Sequence, residues 1–154
     1  MRIAILNPLW VQEKHRFGVR SGSRWPHIRS DFFRIYPFPF QLAYASALLK
    51  RTGHDVLFID CIARGMDDAQ VMRRLADFEP DLIFHETTSP TFERDVAFVR
   101  HIRKQFNCPI VSAGQLATTF PEKILAHTDF AIAGECDVAL NSLCDALSRN
   151  ASTR

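Results

Sequence analysis

Short apolar runs alternate with helix-like segments along this chain, and that alternation restricts the fold more than any other feature. The runs are apolar at consecutive positions, as in parallel strands that are covered on both faces. Strands that alternate with helices form parallel sheets with helices on both sides. The sequence therefore predicts an α/β domain, three-layered and Rossmann-like or flavodoxin-like, with a five-stranded parallel sheet. The predicted strands are Ile3–Leu6, Val56–Asp60, Leu82–His85, Ile110–Ser112 and Phe130–Ala133.

The segments between these runs have helical periodicity and recognisable ends. A first helix follows Pro37 and Pro39 and ends at Gly53, because proline suits a first turn and glycine a helix end. Asp67 or Asp68 is expected to cap the second helix. Further helices are predicted from Thr91 to Phe106, from near Pro121, and along a stripe of Cys136, Leu140, Leu143 and Leu147. The polar residues 148–154 are interpreted as a frayed end or linker, which gives a domain of residues 1–147.

The connection after the first strand is unusually long and basic. It has roughly 30 residues, where strand-to-helix connections usually have two to six. Between Val11 and Tyr36 it carries six Lys or Arg residues against two acidic ones, interleaved with aromatic residues. That composition is unfavourable for disorder. An anionic group on a ligand or partner is one interpretation of the basic excess, and a solvated loop is the other.

Several functional classes lack their signatures in this sequence. No apolar run approaches the roughly 18 residues of a membrane span. The apolar stretch at the N-terminus is too short for a signal peptide, so a cytoplasmic location is expected. Gly-x-Gly-x-x-Gly after the first strand and a phosphate loop ending in Gly-Lys-Ser or Gly-Lys-Thr are both absent. The four cysteines form no Cys-x-x-Cys pair and are interpreted as buried thiols. Asp60 is expected either to cap a loop or to contact a ribose hydroxyl.

Small and polar residues follow the third, fourth and fifth predicted strands. In a parallel sheet these positions share the carboxyl edge, where ligands bind in open α/β folds. Thr87, Thr88 and Ser89 offer hydroxyls, and Gly114 permits close approach of a bulky ligand. Gly134 and Glu135 complete the rim. Ordinary turn chemistry is the alternative explanation, since Gly, Ser and Thr are common in such loops.

Several segments of the chain together point to one known family. They are Arg20-Ser-Gly-Ser-Arg-Trp-Pro26, Tyr36-Pro-Phe-Pro-Phe-Gln-Leu-Ala-Tyr44, Leu48-Leu-Lys-Arg-Thr-Gly-His-Asp-Val-Leu-Phe-Ile-Asp60, Pro80-Asp-Leu-Ile83, Ala113-Gly-Gln-Leu-Ala-Thr118, Pro121-Glu-Lys-Ile-Leu125 and Gly134-Glu135. In these segments the chain resembles the N-terminal cobalamin-binding domain of cobalamin-dependent radical S-adenosylmethionine enzymes. The resemblance extends from Met1 to about Leu147.

This resemblance implies cobalamin as the cofactor, with the corrin ring on the carboxyl edge and the nucleotide tail between the sheet and a neighbouring helix. It implies that Asn7 and the loop holding Arg24 and Trp25 lie nearest the corrin face. The other implied contacts are Thr87, Thr88, Ser89, Gly114, Gln115, Leu116, Ala117, Gly134 and Glu135. The family's usual Gly-Gly after the fourth strand is Ala113-Gly114 here, and its frequent Gly-Glu-Gly-Glu is Gly134-Glu-Cys-Asp137.

No residue of this chain is predicted to be catalytic. Radical enzymes of this group hold a four-iron cluster with Cys-x-x-x-Cys-x-x-Cys, and that spacing is missing. The expected function is a module that positions cobalamin for methyl transfer or radical chemistry, with a radical S-adenosylmethionine domain or chain as its partner. Neither a membrane nor a nucleic acid is an expected partner. The alternative is a cobalamin-free interaction module that binds an acidic partner through the basic loop.

An axial histidine is a further hypothesis. Other cobalamin proteins use Asp-x-His-x-x-Gly after the first strand, where the imidazole binds cobalt. Glu13-Lys14-His15-Arg16-Phe17-Gly18 mimics that spacing and makes His15 a candidate metal ligand. The resemblance favours the other possibility, in which the loop shields the lower face of the cobalt without histidine. His85 is interpreted as a packed core histidine, although it ends a strand at the same edge.

Overall fold

Seven strands are found in the computed structural model, which describes residues 1–12, 14–17 and 38–151. Five of them form one parallel sheet in the order β4-β1-β5-β6-β7, and the other two, β2 and β3, form an antiparallel hairpin. The strands are β1 (Arg2–Asn7), β2 (Trp10–Gln12), β3 (His15–Phe17), β4 (Asp55–Asp60), β5 (Leu82–Glu86), β6 (Ile110–Ala113) and β7 (Phe130–Ala131). The predicted α/β class and five-stranded parallel sheet are confirmed.

Helices follow the strands of the sheet and cover both of its faces. They are α1 (Phe40–Arg51), α2 (Cys61–Arg64), α3 (Asp68–Phe78), α4 (Phe92–Arg103), α5 (Gln115–Thr119), α6 (Pro121–Leu125) and α7 (Asp137–Ala151). A single 3-10 turn, Ser89–Thr91, joins β5 to α4. Within the described residues no helix is long and apolar enough to cross a membrane.

The two faces of β1 show how the three layers are held together. Ile3 and Ile5 point to one side and pack with buried residues of α1 and α7. Ala4 and Leu6 point to the other side and pack with buried residues of α3 and α4. Because successive strand residues face opposite sides, an uninterrupted apolar run fills both cores at once.

Local sequence signals set several helix boundaries. Asp67 caps α3 by accepting the backbone N–H of Gln70 at 2.8 Å, and the Gln70 side chain accepts the N–H of Asp67 at 2.9 Å. This reciprocal pair is a capping box, and it decides between the two predicted caps. Gly53 follows the end of α1 with φ +93°, a conformation that an L side chain disfavours.

Some boundaries differ from the prediction. Helix α7 continues to Ala151, four residues beyond Leu147, and Ser148 Oγ donates to the carbonyl of Cys144 at 2.8 Å. The residues from Ser148 to Asn150 are polar, so composition did not mark where the helix ends. Helix α4 ends at Arg103 rather than Phe106, and β7 ends at Ala131 rather than Ala133. The domain boundary at residue 147 stays a prediction.

Candidate functional site

The carboxyl ends of β1 and β5 lie side by side and mark where the chain connections diverge. The helix after β1 packs on one face of the sheet, whereas the helix after β5 packs on the other. Adjacent strands whose connections leave in opposite directions open a crevice between them, and ligands of open α/β sheets bind there. The residues at this point are Asn7 at the end of β1 and Glu86 to Thr88 after β5.

Asn7 ties β1 to its neighbour β4. Its side chain is only 6% exposed, and Nδ2 donates to Asp60 Oδ1 at 3.0 Å. The same Asp60 oxygen accepts the backbone N–H groups of Ile62 and Ala63, both at 3.1 Å, and so caps α2. Asp60 therefore has the capping role, the first of the two roles expected for it. The Asn7 side chain supports the floor of the crevice through this contact.

The loop after β5 turns its first two hydroxyls inward. Thr87 and Thr88 are 1% and 2% exposed, whereas Ser89 is exposed. Thr87 Oγ1 donates to Asp95 Oδ2 at 2.8 Å, and Thr88 Oγ1 lies 3.0 Å from Thr91 Oγ1. Of the three residues expected to offer hydroxyls at this edge, only Ser89 is exposed. The inward turn has a physical cause, because buried polar groups require hydrogen-bond partners.

Gly114 is required by its contact with the neighbouring loop. Its φ is +102°, and a Cβ built on it would lie 2.5 Å from the carbonyl oxygen of Thr87. The end of β6 therefore approaches the backbone of Thr87, and the close approach of a ligand to Gly114 stays a prediction. Gln115, the next residue, is exposed at the carboxyl edge, while Leu116 and Ala117 are buried against Ile124 of α6.

Thr118 joins the loops after β6 and β7, and the sequence analysis did not select it. Its hydroxyl donates to the Gly114 carbonyl at 3.0 Å and accepts the backbone N–H of Gly134 at 2.9 Å. Gly134 and Glu135 are both exposed, and a Cβ on Gly134 would meet nothing within 4 Å. A threonine in a helix can donate its hydroxyl to the carbonyl four residues earlier. The spacing of Gly114 and Thr118 could therefore have indicated this contact from the sequence.

A groove runs along the rim between α1 and the start of α7. It is lined by Gln41, Tyr44, Glu135, Cys136 and Asp137. Burial raises the pKa of the Cys136 thiol to about 12, and the carboxylates of Glu86 and Asp137 add to that effect. The groove therefore presents a neutral thiol, not a thiolate, at its base.

Exposed aromatic rings stand beside this groove. Phe38, Phe40 and Tyr44 are between 56% and 61% exposed, and Phe40 lies 5.1 Å from Phe38 and 6.3 Å from Tyr44 between ring centroids. Val138 in the first turn of α7 is 65% exposed. Contiguous apolar surface of this kind marks binding surfaces in soluble proteins.

The remaining candidates lie in other settings. Arg24 and Trp25, with the rest of residues 18–37, lie outside the described residues. His15 lies in the hairpin, half-buried and opposite Gln12. His85 Nε2 is hydrogen-bonded to Ser112 Oγ at 2.7 Å in the core, as a packed histidine would be. In the part of the chain that the structure describes, no three His, Cys, Asp or Glu side chains gather as a metal site. An axial role for His15 stays a prediction.

Comparison with known proteins identifies the family of the chain. The family model described as "B12 binding domain" matches residues 35–143. An uncharacterized methyltransferase of Pyrococcus horikoshii is 30% identical over 117 residues, which cover 72% of this chain and 25% of that protein.

One solved structure has the same fold over nearly the whole chain. It is a cobalamin-dependent S-adenosylmethionine radical enzyme, OxsB, with aqua-cobalamin and S-adenosylmethionine bound. The TM-score is 0.70 at 15% identity, and the match covers 96% of this chain and 18% of that one. The chain thus spans a quarter or less of the length of these two proteins. With a family model covering most of its length and this sheet topology, the chain belongs to the B12-binding domain family, and cobalamin is its cofactor.

Proposed function

We propose that this chain seats cobalamin with the corrin ring across the carboxyl edge of the sheet, for methyl transfer or radical chemistry in a radical S-adenosylmethionine partner domain. The single observation that carries the placement is the exposed rim made by the loops after β5, β6 and β7. Small or polar residues are exposed in each loop, namely Ser89 after β5, Gln115 after β6 and Ala133 to Glu135 after β7, while Thr87, Thr88 and Leu116 are buried.

The shape and chemistry of this rim fit a corrin. A corrin is a broad macrocycle with amide side chains around its edge, so it needs a wide platform with hydrogen-bonding groups at the margin. Gln115 and Ser89 supply polar side chains, and Gly134 leaves open space where a side chain would project.

The groove between α1 and the start of α7 suits the nucleotide tail. It begins at the rim beside Glu135 and runs past Tyr44, whose ring is 61% exposed. An aromatic face that is open to solvent can stack a planar base. In this arrangement the corrin rests on the rim, and the tail enters the side of the domain between two packed helices.

Cobalamin and the residues of this chain have separate roles in this proposal. When bound, cobalamin supplies a cobalt centre for methyl transfer or electron transfer. The residues of this chain bind and orient it: the three loops fix the plane of the ring, and the groove fixes its rotation. The methyltransferase description of one relative and the far greater length of both relatives support a further catalytic domain as the partner.

Comparison of two corrinoids tests the proposed groove. Cobinamide has the corrin ring but no nucleotide tail. We expect Tyr44→Ala to weaken hydroxocobalamin binding about tenfold, since stacking on an aromatic face contributes about 1–3 kcal/mol, and to leave cobinamide binding unchanged. The dissociation constants are measured by titration followed at visible wavelengths.

The matched control is Phe120→Ala, which removes an exposed ring, 42% exposed, outside the groove. It should change neither affinity. An equal loss for both corrinoids in Tyr44→Ala would place the tail elsewhere, because the ring would then be supporting the corrin or the fold.

A further inference from the structure

A buried carboxylate lies directly behind the proposed corrin platform. Asp95, in the first turn of α4, is 2% exposed. Its Oδ2 accepts two hydroxyl hydrogen bonds, from Thr87 Oγ1 at 2.8 Å and from Thr91 Oγ1 at 2.7 Å. A buried polar group is costly unless it is hydrogen-bonded, so the loss of either bond would carry a free-energy cost.

Thr91 connects Asp95 to the loop after β5. Its hydroxyl accepts the backbone N–H of Thr88 at 3.1 Å and lies 3.0 Å from the Thr88 hydroxyl. Thr91 is fully buried, and Thr88 is 2% exposed. The loop from Thr87 to Thr91 is therefore fixed by buried side-chain bonds within itself and to α4, while Ser89 stays exposed.

The same loop also holds the end of β6. The backbone N–H of Thr87 donates to the Ala113 carbonyl at 2.9 Å. The next residue, Gly114, lies close to the carbonyl oxygen of Thr87. Asp95 is thus connected through Thr87 to two of the three loops in the rim.

We infer that Asp95 and Thr91 are positioning residues for cobalamin, which hold the β5 and β6 loops in the arrangement that receives the corrin. This inference rests on the proposed function. Neither side chain is placed to touch the ligand, since both are buried behind the loop. Their effect on binding comes from preorganisation, because a loop that must be ordered on binding lowers the affinity.

The test compares two threonines of similar burial. Thr91→Val and Thr128→Val each replace a buried threonine by a side chain of the same shape without a hydroxyl. Thr128 is 8% exposed and lies at the opposite edge, where its hydroxyl meets the carbonyls of Ile124 and Phe130 at 3.1 and 3.2 Å. Both variants should lower the urea midpoint of unfolding.

Only Thr91→Val should also weaken hydroxocobalamin binding, by about tenfold, as expected when a buried hydrogen-bonded group loses its partner. Thr91→Ser retains the hydroxyl and should restore the affinity. Wild-type affinity in Thr91→Val, or an equal loss in Thr128→Val, would overturn the inference while leaving the proposed function intact. If the wild-type chain itself binds no hydroxocobalamin, the proposed function fails.

Discussion

Replacing Gly114 by alanine is expected to destabilise the chain by about 3 kcal/mol or more, because the backbone at φ +102° is a region for glycine alone and a methyl group would overlap neighbouring atoms. The overlap is with the carbonyl oxygen of Thr87, 2.5 Å from the added carbon. The residues just before Thr87 and Gly114, Glu86 and Ala113, are paired between β5 and β6. Neither Thr87 nor Gly114 can therefore move away easily. Equilibrium unfolding in urea measures the loss.

Gly134→Ala is the matched control for this prediction. Its φ of +78° also disfavours an L residue, but the added carbon would meet nothing within 4 Å. It should therefore cost about 1–2 kcal/mol, the strain of the left-handed backbone alone. Equal losses in the two variants would show that the contact with Thr87 contributes nothing beyond the backbone conformation.

Ser89→Trp is expected to weaken hydroxocobalamin binding about 100-fold or more, since a bulky side chain on the platform clashes with the ring that it should receive. Ser89 is exposed at the carboxyl edge, in the turn between β5 and α4. Its replacement should leave the urea midpoint nearly unchanged, because exposed substitutions away from packed groups have small effects. Titration at visible wavelengths measures the affinity.

Gln105→Trp provides the comparison at the other edge of the sheet. Gln105 is exposed and follows the end of α4, far from the carboxyl ends of the strands. This variant should bind hydroxocobalamin as the wild type does. If Ser89→Trp retains wild-type affinity as well, the corrin does not lie over the β5 loop, and the proposed platform is wrong.

Most of the sheet could be predicted because its strands are buried on both faces. Consecutive apolar residues such as Ile3 to Leu6 have no explanation in a half-exposed strand, so the pattern indicated parallel strands and two helical layers. Helix ends with a specific chemistry, such as the Asp67 cap, were also predictable. Three short elements were missed, namely the β2–β3 hairpin, with strands of three residues, and the helices α2 and α5, of four and five residues. Their patterns are too short to distinguish from turns.

The carboxyl-edge position of the candidate residues could be predicted, but the directions of their side chains could not. Topology alone places the ends of β5, β6 and β7 at one edge, so the residues there could be named from the sequence. The direction of each side chain could not be predicted, because it depends on contacts with the helix that follows in the chain, and the sequence pattern does not show those contacts. Asp95 turns Thr87 inward from the helix that follows, and Leu116 is drawn into a small apolar cluster with α6.

Retention of hydroxocobalamin by the wild-type chain is the most direct measurement of the central claim. The purified chain is incubated with excess hydroxocobalamin and desalted, and its visible absorbance is compared with its protein concentration. We predict one cobalamin per chain after desalting. Loss of all corrin absorbance would contradict cobalamin binding by this chain and would favour an interaction module that has kept the fold without the ligand.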